Sequence, residues 1–242
     1  MPVTLKNQTV LVVGASSGIG RAIAVHFARE GANVLASARR LDRLEELQGE
    51  LAAENIDIGI AAADATNAAA MEELVARTVE QFEKIDILVY ASGTNTKDRA
   101  LKDLSTKTWD EVLCVNLNGA YYATHAVLPA MRDRKSGQLI YIASISGLVP
   151  DISGAAYQAS KRGMVGLAHA IRVEEKENGI RTCVVCPGLV DTEILEKRPV
   201  KPPPETLAKA LQADDVAEAV VFVAKLPPRA SIPEIQVMPT AI

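Results

Sequence analysis

Cysteine is scarce in this chain: three residues in 242, an odd number. A disulfide framework is therefore not expected, and a reduced, cytoplasmic setting is the natural expectation. No apolar run approaches the ~18 residues of a membrane helix. Residues 1–9 lack a charged stretch followed by an apolar core, so no secretion signal is expected either. Basic charge is not in excess: 26 Lys and Arg face 30 Asp and Glu, a formal net charge of −4. That argues against nonspecific binding to nucleic acid, which depends on Lys and Arg neutralising phosphates. With 48% hydrophobic and 23% charged residues, the composition is not that of a disordered chain. At this length about 70–75% of the unfolded surface becomes buried, so no metal or disulfide staple is needed.

What is present is an alternation of short apolar runs and longer helical patterns. The runs predict strands over 9–15, 33–38, 56–63, 85–91, 138–143, 181–186 and 234–238. Helices are expected over 21–30, 68–82, 109–131, 155–177 and 214–224, with a further helical stripe at Leu41, Leu44, Leu47 and Leu51. Continuous apolar strands with helices between them imply a parallel sheet covered on both faces. The rhythm continues without a linker, which predicts one α/β domain over 1–242, a doubly wound parallel sheet of Rossmann type. The stretch 198–205, with Pro199, Pro202, Pro203 and Pro204, is excluded from a helix interior or a central strand.

The first strand runs into Gly14-Ala-Ser16-Ser17-Gly18-Ile19-Gly20, and a helix follows. Glycine permits positive φ and lets backbone N–H groups approach a pyrophosphate at a helix N-terminus. The spacing is G-x3-G-x-G rather than G-x-G-x-x-G; a plain glycine-rich turn is the competing reading. The second strand ends in Ala38-Arg39-Arg40, where an NAD enzyme usually carries an acid for the ribose hydroxyls. Two guanidiniums suit a 2′-phosphate, so NADP(H) is expected over NAD(H). Asp42 is assigned instead to the first turn of the following helix.

Tyr157 and Lys161 are four residues apart on one helical face. An ammonium beside a phenol stabilises the phenolate and brings its pKa down from about 10. Ser144 lies just past a strand end, where hydroxyls of a parallel sheet line the ligand crevice. Asn116 follows the apolar residues 112–115. Cys183 and Cys186 have C-x-x-C spacing but sit in a strand run, without the helix N-terminus that would activate a thiolate, and are read as structural. Cys114 is read as a small core residue.

Together these positions resemble the classical short-chain dehydrogenase/reductase family over essentially the whole chain. The matching residues are the glycine loop, Asp64-Ala65-Thr66, Ala91-Ser92-Gly93, Asn116, Ser144, Tyr157, Lys161 and Pro187-Gly188. The resemblance implies that Tyr157 is a general acid/base and that Lys161 holds the nicotinamide ribose and tunes Tyr157. It implies that Ser144 polarises the carbonyl and that Asn116 supports a water-mediated proton path to Lys161. Asp64 would approach the adenine; Thr192 and the backbone near Val190 would approach the carboxamide. Two departures are visible: the family's Asn-Asn-Ala-Gly is here Tyr90-Ala91-Ser92-Gly93, and its Thr before the first glycine is Val13.

The resulting expectation is an NADP-dependent oxidoreductase acting on a small carbonyl or secondary alcohol, entering near residues 189–206. The segment 232–239 is similar to a branch acting on hydroxy acids. Two alternatives stay open: a 3-oxoacyl carrier-protein reductase, with Arg132, Arg134 and Lys135 as docking cations, and a non-catalytic NADP-binding sensor or scaffold. A homotetramer is also implied. It would pair through the helix at 109–131, apolar on several faces, and the helix at 155–177, with small residues Ala156, Ala159, Gly163 and Gly166.

Overall fold

The structure, a computed structural model, describes residues 4–241; residues 1–3 and 242, which open and close the expected 1–242 domain and begin the segment read for a signal, lie outside it. Seven parallel strands form one sheet: Thr9–Val13 (β1), Asn33–Ala38 (β2), Gly59–Ala62 (β3), Ile87–Tyr90 (β4), Gly137–Ile142 (β5), Ile180–Pro187 (β6) and Glu234–Val237 (β7). Their order is β3-β2-β1-β4-β5-β6-β7. Consecutive strands run outward from β1 on one side and from β4 on the other, so the direction of winding reverses between β1 and β4. In a sheet of this kind the crevice opens at the carboxyl ends of the strands flanking that reversal.

Two apolar cores sandwich the sheet. On one face lie Gly18–Arg29 (α1), Leu41–Ala53 (α2) and Ala213–Ala224 (α8), contributing Ile23, Phe27, Leu44, Leu47, Leu51 and Val220. On the other lie Ala68–Phe82 (α3), Gly119–Arg134 (α5) and Ala155–Glu174 (α6), contributing Met71, Leu74, Val127, Met131, Met164 and Ile171. The strands carry apolar residues on both faces because both are covered. Leu41, the first member of the expected stripe on α2, is instead exposed in the first turn of the helix.

The helix expected over 109–131 is three pieces. Thr106–Leu113 (α4) starts at Ser105, whose hydroxyl accepts from the Thr108 N–H. A π-helical turn, Cys114–Asn118, then leads into α5. Interruptions of this kind have identifiable partners. Here the Tyr90 hydroxyl donates to the Val115 carbonyl at 2.6 Å. The Asn116 amide donates to the Thr94 carbonyl at 3.0 Å and to Ser160 Oγ at 2.9 Å. Gly119 is needed beside it, since a Cβ there would lie 2.2 Å from the Tyr90 hydroxyl. Tyr90, the departure noted from sequence, thus reaches from the central sheet to the π turn. The proline-rich stretch agrees with its exclusion: Pro204 begins a four-residue helix, Pro204–Leu207 (α7), at a position where its missing N–H is not needed.

Candidate active site

A cleft of about 450 Å³ opens at the carboxyl ends of β1, β2, β4, β5 and β6. Every cofactor-side position named from the sequence, from Gly14 to Thr192, lines it, as do Ser144, Tyr157 and Lys161; Asn116 does not.

The glycine loop is a cradle that a side chain would fill. Gly14 has φ +99°, and a Cβ there would sit 2.5 Å from the Ser92 backbone N. A Cβ on Gly20 would sit 2.2 Å from the Gly14 carbonyl oxygen. Both Gly14 and Ala15 N–H donate to the Ser37 carbonyl, at 2.7 and 3.0 Å, which ties the loop to β2. The Ser17 hydroxyl accepts from none of the first-turn N–H groups of α1, so they remain available to an anion in the cleft. The residues present therefore fit a dinucleotide pyrophosphate.

At the far end of β2 the two arginines behave differently. Arg40 donates to Ser17 Oγ at 2.8 Å, to Ser16 Oγ at 3.1 Å and to Glu193 at 3.1 Å, spanning the cleft. Arg39 forms no ion pair among the described residues. Burial pushes the Asp64 carboxyl upward, but hydrogen bonds from Thr66 N–H and O–H and the nearby Arg39 charge outweigh it and hold the carboxyl below its usual range. Asp42 lies in the first turn of α2, as expected.

Lys161 is only 3% exposed, and its ammonium donates to the Ile142 carbonyl at 2.8 Å. Burial lowers its pKa to about 8. The ammonium lies 5.6 Å from the centroid of the Tyr157 ring. Sequence reasoning expected this pair to depress the phenol. The structure gives the opposite direction for the cleft without ligands: burial raises Tyr157, while interaction with the Ser144 hydroxyl and the charges of Arg198 and Arg99 work against that rise. The physical reason is that the phenol is buried, which disfavours the phenolate, and the nearby Asp151 carboxylate adds to the rise.

Asn116 is fully buried behind this pair. Its Oδ1 accepts from the Thr94 N–H at 2.7 Å. A Cβ on Gly93 would lie 3.5 Å from Lys161 Nζ and 3.7 Å from Asn116 Oδ1, so the two polar groups flank the same glycine. Ser144 accepts from the Ser146 N–H at 3.2 Å and donates to Ser146 Oγ at 3.1 Å, and the chain of hydroxyls continues to Asp151.

Sequence reasoning missed Arg99, Asp151 and Arg198, which line the same cleft. No spacing rule could find them, because they come from three separate loops. Arg198 does open the proline-rich stretch already placed near the substrate. The cations proposed for a carrier protein lie elsewhere. Arg132 pairs with Glu175, Arg134 donates to the Ile85 carbonyl and Lys135 to Asn178, around the amino ends of β4 and β6. Cys183 and Cys186 are buried in β6 as free thiols, and burial raises their pKa values to about 12 and about 11.

Known proteins give a consistent picture. The family described as short chain dehydrogenase matches residues 8–202. An uncharacterized oxidoreductase of Staphylococcus aureus is 32% identical over 235 residues, covering 97% of this chain and 98% of the relative. Among solved structures, the closed form of serine dehydrogenase complexed with NADP+ superposes with TM-score 0.86 at 33% identity, covering 95% of this chain and 94% of the other. A variant of actinorhodin polyketide ketoreductase with NADPH superposes with TM-score 0.89 at 29% identity, covering 99% and 98%.

Proposed function

This chain belongs to the short-chain dehydrogenase family, and on that premise we propose that it is an NADP(H)-dependent oxidoreductase interconverting a small carbonyl compound and its secondary alcohol. The observation that carries the reading is the convergence of Ser144, Tyr157 and Lys161 on the same cleft as the glycine cradle.

NADP(H), when bound, supplies or accepts the hydride. The chain's own residues do the rest. N–H groups at the start of α1 would hold the pyrophosphate and Arg39 the 2′-phosphate, with Arg40 beside Ser16 and Ser17. Asp64 and Ala65 would serve the adenine, and Ala91, Ser92 and Gly93 would allow the close backbone approach. Pro187, Gly188, Val190 and Thr192 would serve the carboxamide. Ser144 orients the substrate oxygen, and Tyr157 moves the proton to or from it. A phenol raised by burial is protonated at neutral pH, which suits it as the acid in the reducing direction. Lys161 would hold the ribose, and Asn116 would support a water-mediated path that returns a proton to Lys161. The similarity to structures complexed with NADP+ and NADPH supports the cofactor assignment.

The substrate reading extends to hydroxy acids, which the likeness to serine dehydrogenase supports. A carrier-protein thioester is the second reading, favoured by the likeness to a polyketide ketoreductase. A sensor without turnover is disfavoured by the complete Ser144, Tyr157 and Lys161 set. We further propose a cytoplasmic homotetramer. Val112, Ala123 and Val127 are buried within the chain, and Gly163 receives Leu117, but Tyr121 on α5 is 49% exposed and Gly166 on α6 faces open space. Sedimentation at micromolar concentration checks it; a mass near 25.8 kDa throughout would contradict it. The test of the activity is the initial rate on a carbonyl panel with NADPH and with NADH. NADPH consumption on at least one small ketone or aldehyde is expected, and none on any would overturn the reading.

A further inference from the structure

The substrate end of the cleft holds two guanidiniums that no ion pair neutralises. Arg99, in the loop after β4, donates through Nε to the Thr96 carbonyl at 3.1 Å and through Nη2 to the Lys197 carbonyl at 2.7 Å. Its backbone is pressed against the start of α6: a Cβ on Gly154, which has φ +92°, would lie 2.6 Å from Arg99 Cβ and 2.7 Å from the Arg99 carbonyl oxygen. The Arg99 side chain lines the cleft from this base, and among the described residues its Nη1 donates no hydrogen bond. Arg198 follows the turn Glu193–Lys197 and lines the same cleft, beside Tyr157 and Ser144. Both arginines are partly buried, and among the described residues neither forms an ion pair. The carboxylate on this wall, Asp151, is taken up by the Ser146 and Ser153 hydroxyls and the Ser153 N–H. Burial and the neighbouring Arg198 charge disfavour the charged form of Arg99 and outweigh the support of the Asp151 carboxylate. Two adjacent, partly desolvated cations share one nearby carboxylate, Asp151, and an anion placed between them offsets the repulsion that remains.

We propose that Arg99 and Arg198 bind the carboxylate of a small oxo-acid or hydroxy-acid substrate and so orient its reacting carbon between Ser144 and Tyr157. The guanidinium fork matches a carboxylate in shape as well as charge. This selects acids over neutral carbonyl compounds within the oxidoreductase reading above, on which it rests. Arg99 and Arg198 come from the loops after β4 and β6 and act on Tyr157, whereas Arg39 and Arg40 follow β2, so the two pairs are assigned to different ligands.

The test is calorimetric titration of acetoacetate, levulinate and their methyl esters into the full chain, with and without NADP+, under which no reduction occurs. At least one acid is expected to bind about tenfold or more tightly than its ester, the range for hydrogen bonds to a charged group. Arg198→Gln is expected to bring that ratio towards one, as is Arg99→Gln; Arg99→Lys keeps part of it, and the Arg198 side chain makes no hydrogen bond among the described residues that the change would break. Equal binding of acids and esters, a preference that survives both glutamine variants, or tighter binding of dihydroxyacetone phosphate than of any oxo acid would overturn the proposal. Turnover of the same compounds with NADPH separates the two readings. Esters reduced without any acid preference remove the carboxylate site alone. Acids that bind with the preference while nothing is reduced remove the reductase reading and leave the anion site standing.

Discussion

Around Gly14, Gly18 and Gly20 the wall of the cleft is backbone, and a single added carbon at Gly14 or Gly20 collides with it. Around Arg99, Asp151 and Arg198 the wall is side chain, carried on loops from three separate parts of the chain. The first region is rigid because the sheet and the start of α1 fix it. Its ligand must therefore have one shape, that of a pyrophosphate at a helix N-terminus. The second can change charge and size without disturbing the sheet, which is how one fold accepts many substrates. Tyr157 and Lys161, on α6, line the same cleft as both regions.

The largest expected effect falls on that junction. Tyr157→Phe should leave fold and cofactor binding intact while lowering turnover on the order of 10²–10⁴, the usual loss for a general acid/base. Circular dichroism, cofactor titration and initial rates together check it; undiminished turnover would remove Tyr157 from the mechanism.

Next comes the backbone wall. Gly14→Ala should cost about 1–3 kcal/mol from overpacking against Ser92, with a further contribution from its positive φ. Thermal unfolding and cofactor titration read it. A variant with ordinary stability and cofactor affinity would show that the cradle is less tight than the geometry implies.

Lys161 sharpens the comparison through pH. Its native pKa is about 8, below the ordinary lysine value, so between about pH 8 and about 10.5 the unfolded chain holds a proton that the native chain has lost. Unfolding then takes up a proton, and this contribution makes the native state more stable as pH rises through that window. Denaturant unfolding at several pH values should show the rise, on the order of 3 kcal/mol at most. Lys161→Met should abolish it; a variant with the same slope would assign the rise to another group.

The most selective effect concerns cofactor choice. Arg39→Ala should weaken NADPH by roughly 1.5–3 kcal/mol and barely alter NADH, as for a hydrogen bond to a charged group. Equal losses for both cofactors would mean that Arg39 acts on shape instead.

How much was legible in the sequence follows the same division. The glycine loop could be read because its requirement is local: one turn, one helix start, no room for Cβ. Tyr157 and Lys161 could be read because helix geometry alone puts them on one face. The π turn at Cys114–Asn118 could not, since it depends on Tyr90 and Thr94 arriving from another part of the chain. The direction of the Tyr157 shift was misread for a related reason. Spacing gives the proximity of Lys161 but not the burial of the phenol, which the surrounding walls of the cleft impose. Arg99 and Arg198 left no signature because loop residues that meet across about a hundred positions share no period.

Hydride transfer at this cleft is the claim on which both regions depend. It is tested most directly by reducing an accepted carbonyl compound with NADPH deuterated at the transferable position and examining the alcohol formed. The account predicts one deuterium at the carbinol carbon per NADPH consumed, with Tyr157→Phe slowing its appearance. Alcohol formed without deuterium, or NADPH left unconsumed with every carbonyl offered, would contradict it.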